Sequence, residues 1–134
     1  LDEQPADWDV TKVARIWDSV LTQNPDIAGA FFHNDDMALA AHNVMKAKNR
    51  TDILIAGVDA MPPAVNAVLE GVMVATVRNP SGRIHGWSVA AGVAAVIGGE
   101  KPGAGIPNFI LADGPVITKE TAAGHLWLQK NFLI

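Results

Sequence analysis

Hydrophobic residues follow two alternating patterns along the first two thirds of the chain. Three short runs are apolar, at residues 27–32, 53–58 and, interrupted by Thr76, 72–77. The segments between them carry apolar residues at three- and four-residue spacing, which is the period of an amphipathic helix. Apolar strands joined by helices of about a dozen residues are typical of a parallel sheet covered on both faces. We therefore predict an α/β fold of three layers around a parallel sheet.

Caps and helix breakers set the predicted helix boundaries. A first helix begins at a cap of Asp9 or Thr11 and stops at residues 24–26, where Asn, Pro and Asp follow one another. The proline pair at Pro62 suits the first turn of a helix, and Gly71 suits its end. The remaining predicted helices cover residues 35–48, 62–70, 81–97 and 118–132. Short extended segments are expected at residues 108–112 and 115–118.

Composition and charge exclude several classes of protein. The net charge is −4 and the ten Lys and Arg residues are scattered, whereas a nucleic-acid groove needs a clustered basic surface. There is no Cys, and no apolar run approaches the roughly 18 residues of a membrane span. The first residues lack the basic start and apolar stretch of a signal peptide, and Leu1 is not Met. We therefore expect a piece of a longer product.

A polar side chain follows each of the three predicted strands: Asn34, Asp59 and Asn79. The carboxyl ends of parallel strands meet at one edge of a sheet, and ligands bind in the crevice outside that edge. Amide and carboxylate groups there suit a ligand with many hydroxyls. A phosphate is a poor match, because no glycine-rich loop joins a strand to a helix.

Each of these polar residues also has a purely structural explanation. Asn34 is a good N-cap, and Asp35 and Asp36 in the first turn complement the helix dipole. Asp59 and Asn79 are ordinary turn residues. A capping Asn still has an NH2 group to offer, so capping and ligand binding are compatible, and the residues alone leave both roles open.

Tryptophans divide into predicted core residues and one that differs. Trp17 and Trp87 lie on apolar helical stripes, so we expect them in the core. Trp8 instead stands between Asp7 and Asp9, just before the first helix. It is either a hydrophobic staple against that helix or a flat surface for a ligand such as a sugar ring.

Metal binding and catalysis receive little support from the sequence. His33, Asp36 and His42 match no metal-ligand spacing, and His85 and His125 are expected to be surface or lightly buried residues rather than ligands. No G-x-S-x-G turn is present, and no nucleophile stands beside a base. We therefore expect no metal, no cofactor and no enzymatic activity.

Several longer motifs occur in order along nearly the whole chain. They are "QPADWD", "NPDIAGAFFHNDDMALAA", "ILIAGVDAMPPAVNAVLEGVMVATVRNP", "GGEKP" and "PVITKETA". Together they resemble the second half of ribose-type periplasmic sugar-binding proteins, which serve ABC importers. The resemblance implies a type I periplasmic-binding-protein fold, in which two lobes joined by a hinge close on one sugar.

The same resemblance implies a role for four residues. Trp8 matches a Phe that stacks on the sugar, and Asn34 matches an Asn that binds hydroxyls. Asp59 matches a carboxylate that takes two hydroxyls, and Asn79 matches a hinge-side Gln. The Trp at position 8, the shorter Asn79 and the bulky Arg78 depart from the ribose pattern, which leaves a larger or differently substituted sugar open.

The resemblance further implies that the chain is incomplete. Residues 1–79 correspond to most of the C-terminal lobe, and residues 80–107 to a hinge crossing and a helix of the N-terminal lobe. Residues 108–134 correspond to the return through the hinge and the tail. The absent lobe, or a second copy of the chain, would cover the exposed helix.

The implied function is that of a periplasmic solute-binding protein, with a small-molecule sugar and the membrane permease subunits as partners. Its signal peptide would lie upstream, in the missing half. The alternative is the ligand-sensing domain of a lactose-repressor-type transcription regulator, which shares the fold.

Overall fold

The computed structural model describes residues 3–132 of the chain. Residues 1, 2, 133 and 134, which the predicted segments 1–79 and 108–134 include, lie outside the described residues. Within residues 3–132 the elements run in the order α1 (Val10–Gln23), β1 (Gly29–Phe31), α2 (Asp35–Ala47), β2 (Leu54–Asp59), α3 (Pro62–Glu70), β3 (Ala75–Arg78), α4 (Ser81–Ile97), β4 (Val116–Ile117) and α5 (Lys119–Asn131).

Helices begin and end close to the predicted caps. Asp9 is the N-cap of α1, and its carboxylate accepts from the backbone N–H of Thr11 at 2.7 Å and of Lys12 at 3.1 Å. Gly71 closes α3 with a φ of 79°, a left-handed conformation that costs glycine little. The last helix, predicted at residues 118–132, is one α-helix of 13 residues.

The four strands form one mixed sheet in the order β1-β2-β3-β4. The first three strands pair in parallel, as predicted, and β4 pairs antiparallel with β3. The predicted extended segment at residues 115–118 therefore contains a real edge strand. Residues 108–112, which were predicted to be extended, form no strand.

One face of this sheet holds the core and the other is open. Ile55, Thr76 and Ile117, which the pairing register places on the same face, are at most 3% exposed. Phe31 and Leu54 lie on the opposite face and are 58% and 62% exposed. We expected helices on both faces, whereas the described residues cover one face, because α2 and α3 are both crossovers between neighbouring parallel strands.

Helix α4 has no buried residue. Trp87, predicted in the core, is 39% exposed, so that prediction is wrong for this chain: the apolar side of its helix meets no covering element among the described residues. Trp17 is buried as predicted, and its ring meets the edge of Phe32 at a centroid distance of 5.5 Å.

Stability is predicted to depend on the covered face of β2. Ile55→Ala should lower the free energy of unfolding by about 2–5 kcal/mol, since it opens a cavity in a fully buried site. Leu54→Ala, one residue away on the open face, is the matched control and should change it by about 0.5 kcal/mol or less. Urea unfolding of the chain measures both, and equal losses would contradict the assignment of the two faces.

Candidate functional site

The carboxyl ends of β2 and β3 bring two of the predicted site residues together. Asp59 is the last residue of β2 and pairs with Arg78, the last residue of β3. Asn79 follows at once, and its Nδ2 lies 3.4 Å from Oδ1 of Asp59, to which it donates. A carboxylate acceptor and an amide therefore stand side by side at the edge of the sheet.

Asn34 occupies the same kind of position after β1. It is the N-cap of α2, and its Oδ1 accepts from the backbone N–H of Met37 at 2.8 Å. The predicted capping role is confirmed. Its Nδ2 has no hydrogen-bond partner among the described residues, so the amide still has donors to offer.

Trp8 lies just before α1, at the side of a large cavity. It is 67% exposed, with a φ of 61°, and so does not act as a buried staple. It lines a cavity of 1270 Å³ together with Phe31 and His33, between the start of α1 and the free edge of β1. Asn34, Asp59 and Asn79 are not among the residues that line this cavity.

Asp35 is the residue whose role the sequence did not reveal. It lies in the first turn of α2, as predicted, but its side chain is fully buried. Its Oδ1 accepts from the hydroxyl of Thr76 at 2.7 Å, and its Oδ2 accepts from the backbone N–H of Met61 at 2.8 Å. The one sign of this buried carboxylate in the sequence is Gly57, a glycine inside a strand. A Cβ at Gly57 would lie 2.5 Å from Oδ1 of Asp35.

Burial is the main cause that raises the pKa of Asp35. The hydrogen bonds from Thr76 and Met61 act in the opposite direction, and the nearby charges of Asp59 and Asp36 raise the pKa further. The carboxylate can stay in this apolar setting because the hydrogen bonds from Thr76 and Met61 offset the cost of its burial.

Backbone strain is concentrated at the end of β2. Asp59 has a φ of 113° and Ala60 a φ of 56°, in a region that residues with a Cβ rarely adopt. Such residues cost on the order of 1–3 kcal/mol each and persist only where the surrounding structure holds them. The candidate carboxylate of Asp59 is therefore part of a strained turn.

Histidines and possible metal ligands differ from the sequence expectation at one position. His125 is only 6% exposed and so is buried more deeply than expected, and burial, with a contribution from the charge of Arg78, lowers its pKa. Over residues 3–132, no group of three His or carboxylate side chains is arranged to hold a metal ion.

No helix in that range is long and apolar enough to cross a membrane.

A comparison with known protein families places the chain beside one family. The model described as "periplasmic binding protein domain" matches residues 1–101, about three quarters of the chain. This agrees with the family that the sequence motifs resemble.

Two curated relatives have names that state what they bind. The D-allose-binding periplasmic protein of Escherichia coli is 34% identical over 122 residues, which cover 87% of this chain and 38% of that protein. The ribose import binding protein RbsB of Salmonella typhimurium is 36% identical over 77 residues, which cover 58% of this chain and 26% of that protein. The chain thus spans about a quarter to two fifths of the length of these relatives.

Solved structures share the fold. The periplasmic binding protein component of the arabinose ABC transporter from Shewanella sp. ANA-3 superposes with a TM-score of 0.79 at 28% identity. The match covers 95% of this chain and 42% of that one. The predicted fold class, one part of a type I periplasmic binding protein, is confirmed.

Stability should depend on pH through Asp35. A carboxyl with a raised native pKa binds protons more readily in the folded than in the unfolded state, so its contribution to stability grows as the pH falls through the raised pKa towards its ordinary value of 3.8. The free energy of unfolding of the unchanged chain, relative to that of Asp35→Asn, should therefore increase as the pH is lowered from about 7 to about 4.

Urea unfolding at several pH values measures this difference. Asp36→Asn, at the exposed neighbour in the same helical turn, is the matched control and should give a smaller slope. A difference between the unchanged chain and Asp35→Asn that stays flat, or shrinks with falling pH, would contradict the raised pKa.

Proposed function

The chain belongs to the family of periplasmic binding protein domains, and we propose that it supplies one side of the sugar-binding cleft in the solute-binding component of an ABC importer. The observation that carries the proposal is the pairing of Asp59 and Asn79 at the carboxyl edge of the sheet. Carboxylate acceptors beside amide donors match the alternating acceptors and donors of a sugar's hydroxyl groups.

Each proposed contact follows from the chemistry of its side chain. Asp59 accepts hydrogen bonds from two hydroxyls, and Asn79 both orients that carboxylate and contacts the sugar. Asn34 offers its free Nδ2 while its Oδ1 caps α2. Trp8 presents its exposed indole to the C–H face of the sugar ring, once the lobe is complete.

Three features support the proposal that more of the protein covers this chain. β1 is an edge strand with an exposed Phe31, the sheet has an open face, and α4 has no buried residue. Residues 1–79 would then form most of one lobe, residues 80–107 the crossing and a helix of the other lobe, and residues 108–134 the return.

The role proposed here involves binding without catalysis, and closure of the two lobes presents the sugar to the permease subunits in the periplasm. The relatives named above are an import binding protein and a periplasmic sugar-binding protein, which favours the importer over a lactose-repressor-type regulator with the same fold.

Asp59→Asn in the two-lobe protein should weaken sugar binding by about tenfold or more, because a hydrogen bond to a charged acceptor contributes about 1.5–3 kcal/mol. Asp36→Asn is the control: this exposed carboxylate lies at the same edge and should change the affinity by less than about twofold. Calorimetry with the preferred sugar measures both variants. Equal losses would refute the assignment of Asp59 to the site.

The chain of 134 residues alone should show no measurable affinity for a sugar, because the contacts and water exclusion of the second lobe are missing. Calorimetry on the isolated chain, with the two-lobe protein as the positive control, measures this. A dissociation constant of about 1 μM for the isolated chain would contradict the proposal that the cleft needs both lobes.

A further inference from the structure

We propose that Asp35, Thr76 and Gln129 are positioning residues that hold the strained turn after β2 and thereby fix the direction of the Asp59 carboxylate. The positioning of the turn can be tested without a sugar. The effect on sugar affinity rests on the proposed function of Asp59.

Thr76 and Asp35 form a buried chain of hydrogen bonds that ends on the backbone of the turn. Oγ1 of Thr76 accepts from the N–H of Ala60 at 3.1 Å and donates to Oδ1 of Asp35 at 2.7 Å. Oδ2 of Asp35 accepts from the N–H of Met61 at 2.8 Å. Two consecutive backbone donors of the turn are therefore fixed by side chains from β3 and α2.

Gln129 holds the same turn from a third element. Its Nε2 donates to the carbonyl of Ala60 at 2.6 Å, and it comes from α5, far along the chain. Its Oε1 is buried and has no hydrogen-bond partner among the described residues. Both the N–H and the carbonyl of Ala60 are thus bound by side chains.

The strain in the turn explains why such support is needed. Asp59 and Ala60 both have positive φ angles, and a relaxed backbone would change the direction of the Cα–Cβ bond of Asp59. Asp35 and Thr76 are both fully buried, so water cannot replace the bonds that they make. The supporting groups thus preorganise the carboxylate before a ligand arrives.

A buried polar network could instead serve stability alone, and a double-mutant cycle separates the two roles. Thr76→Val keeps the shape of the side chain and removes the hydroxyl. In the two-lobe protein it should weaken sugar binding by about tenfold, and in the Asp59→Asn background by less than about twofold, because the residue acts through Asp59. Thr51→Val, at an exposed turn, is the control and should leave the affinity unchanged.

Amide hydrogen exchange on the same variants tests the turn without a sugar. Thr76→Val should speed exchange at Ala60 and Met61 by about tenfold relative to the core of the sheet. Where Thr76→Val does not fold, Gln129→Met, which removes the donor to the Ala60 carbonyl at similar size, carries the same two tests.

The outcomes separate this inference from the proposed function. Unchanged exchange at Ala60 and Met61, or equal affinity losses from Thr76→Val in both backgrounds, would overturn the inference. If Asp59→Asn alone leaves the affinity unchanged, the sugar-binding role of Asp59 fails, and faster exchange at the two amides still supports the positioning of the turn.

Discussion

The buried carboxylate of Asp35 is the constraint on which the described structure depends most. It joins the start of α2 to β3 through Thr76 and to the start of α3 through the backbone of Met61. Its desolvation is compensated only if both donors stay in place, so the three elements have one favourable arrangement. Gly57 makes that arrangement possible, because any side chain there would collide with the carboxylate.

The asymmetry of the sheet connects this core to the proposed role. All the large buried side chains of the sheet lie on the face that α2 and α3 cover, while Phe31 and Leu54 point away from it. An open apolar face, a free strand edge at β1 and an uncovered α4 are features that a complete protein buries. They support the proposal that this chain forms one lobe, and part of the connection, of a larger two-lobe protein.

Local patterns were sufficient to predict most of the fold. The apolar runs predict three parallel strands, and caps such as Asp9, Asn34 and Gly71 set helix ends to within one or two residues. The juxtaposition of Asp59 and Asn79 also follows, since parallel strands share a carboxyl edge. Predictions that depend on neighbouring elements did less well: Trp87 has an apolar stripe but no covering element among the described residues.

Asp35 lies in the first turn as predicted, but a sequence pattern cannot distinguish its buried carboxylate from an ordinary first-turn carboxylate. Its burial depends on Thr76, 41 residues later, and on a turn whose positive φ angles no local pattern at Asp59 and Ala60 predicts. Long-range hydrogen bonds of this kind leave only indirect signs, here a glycine inside a strand.

The central claim is that the carboxyl edge of this sheet binds a sugar. Calorimetric titration of the two-lobe protein with a panel of pentoses, hexoses and polyols tests it most directly, with tryptophan fluorescence recorded in parallel. The account predicts one tightly bound sugar and a fluorescence change that is lost in Trp8→Ala. No binding across the panel would contradict it.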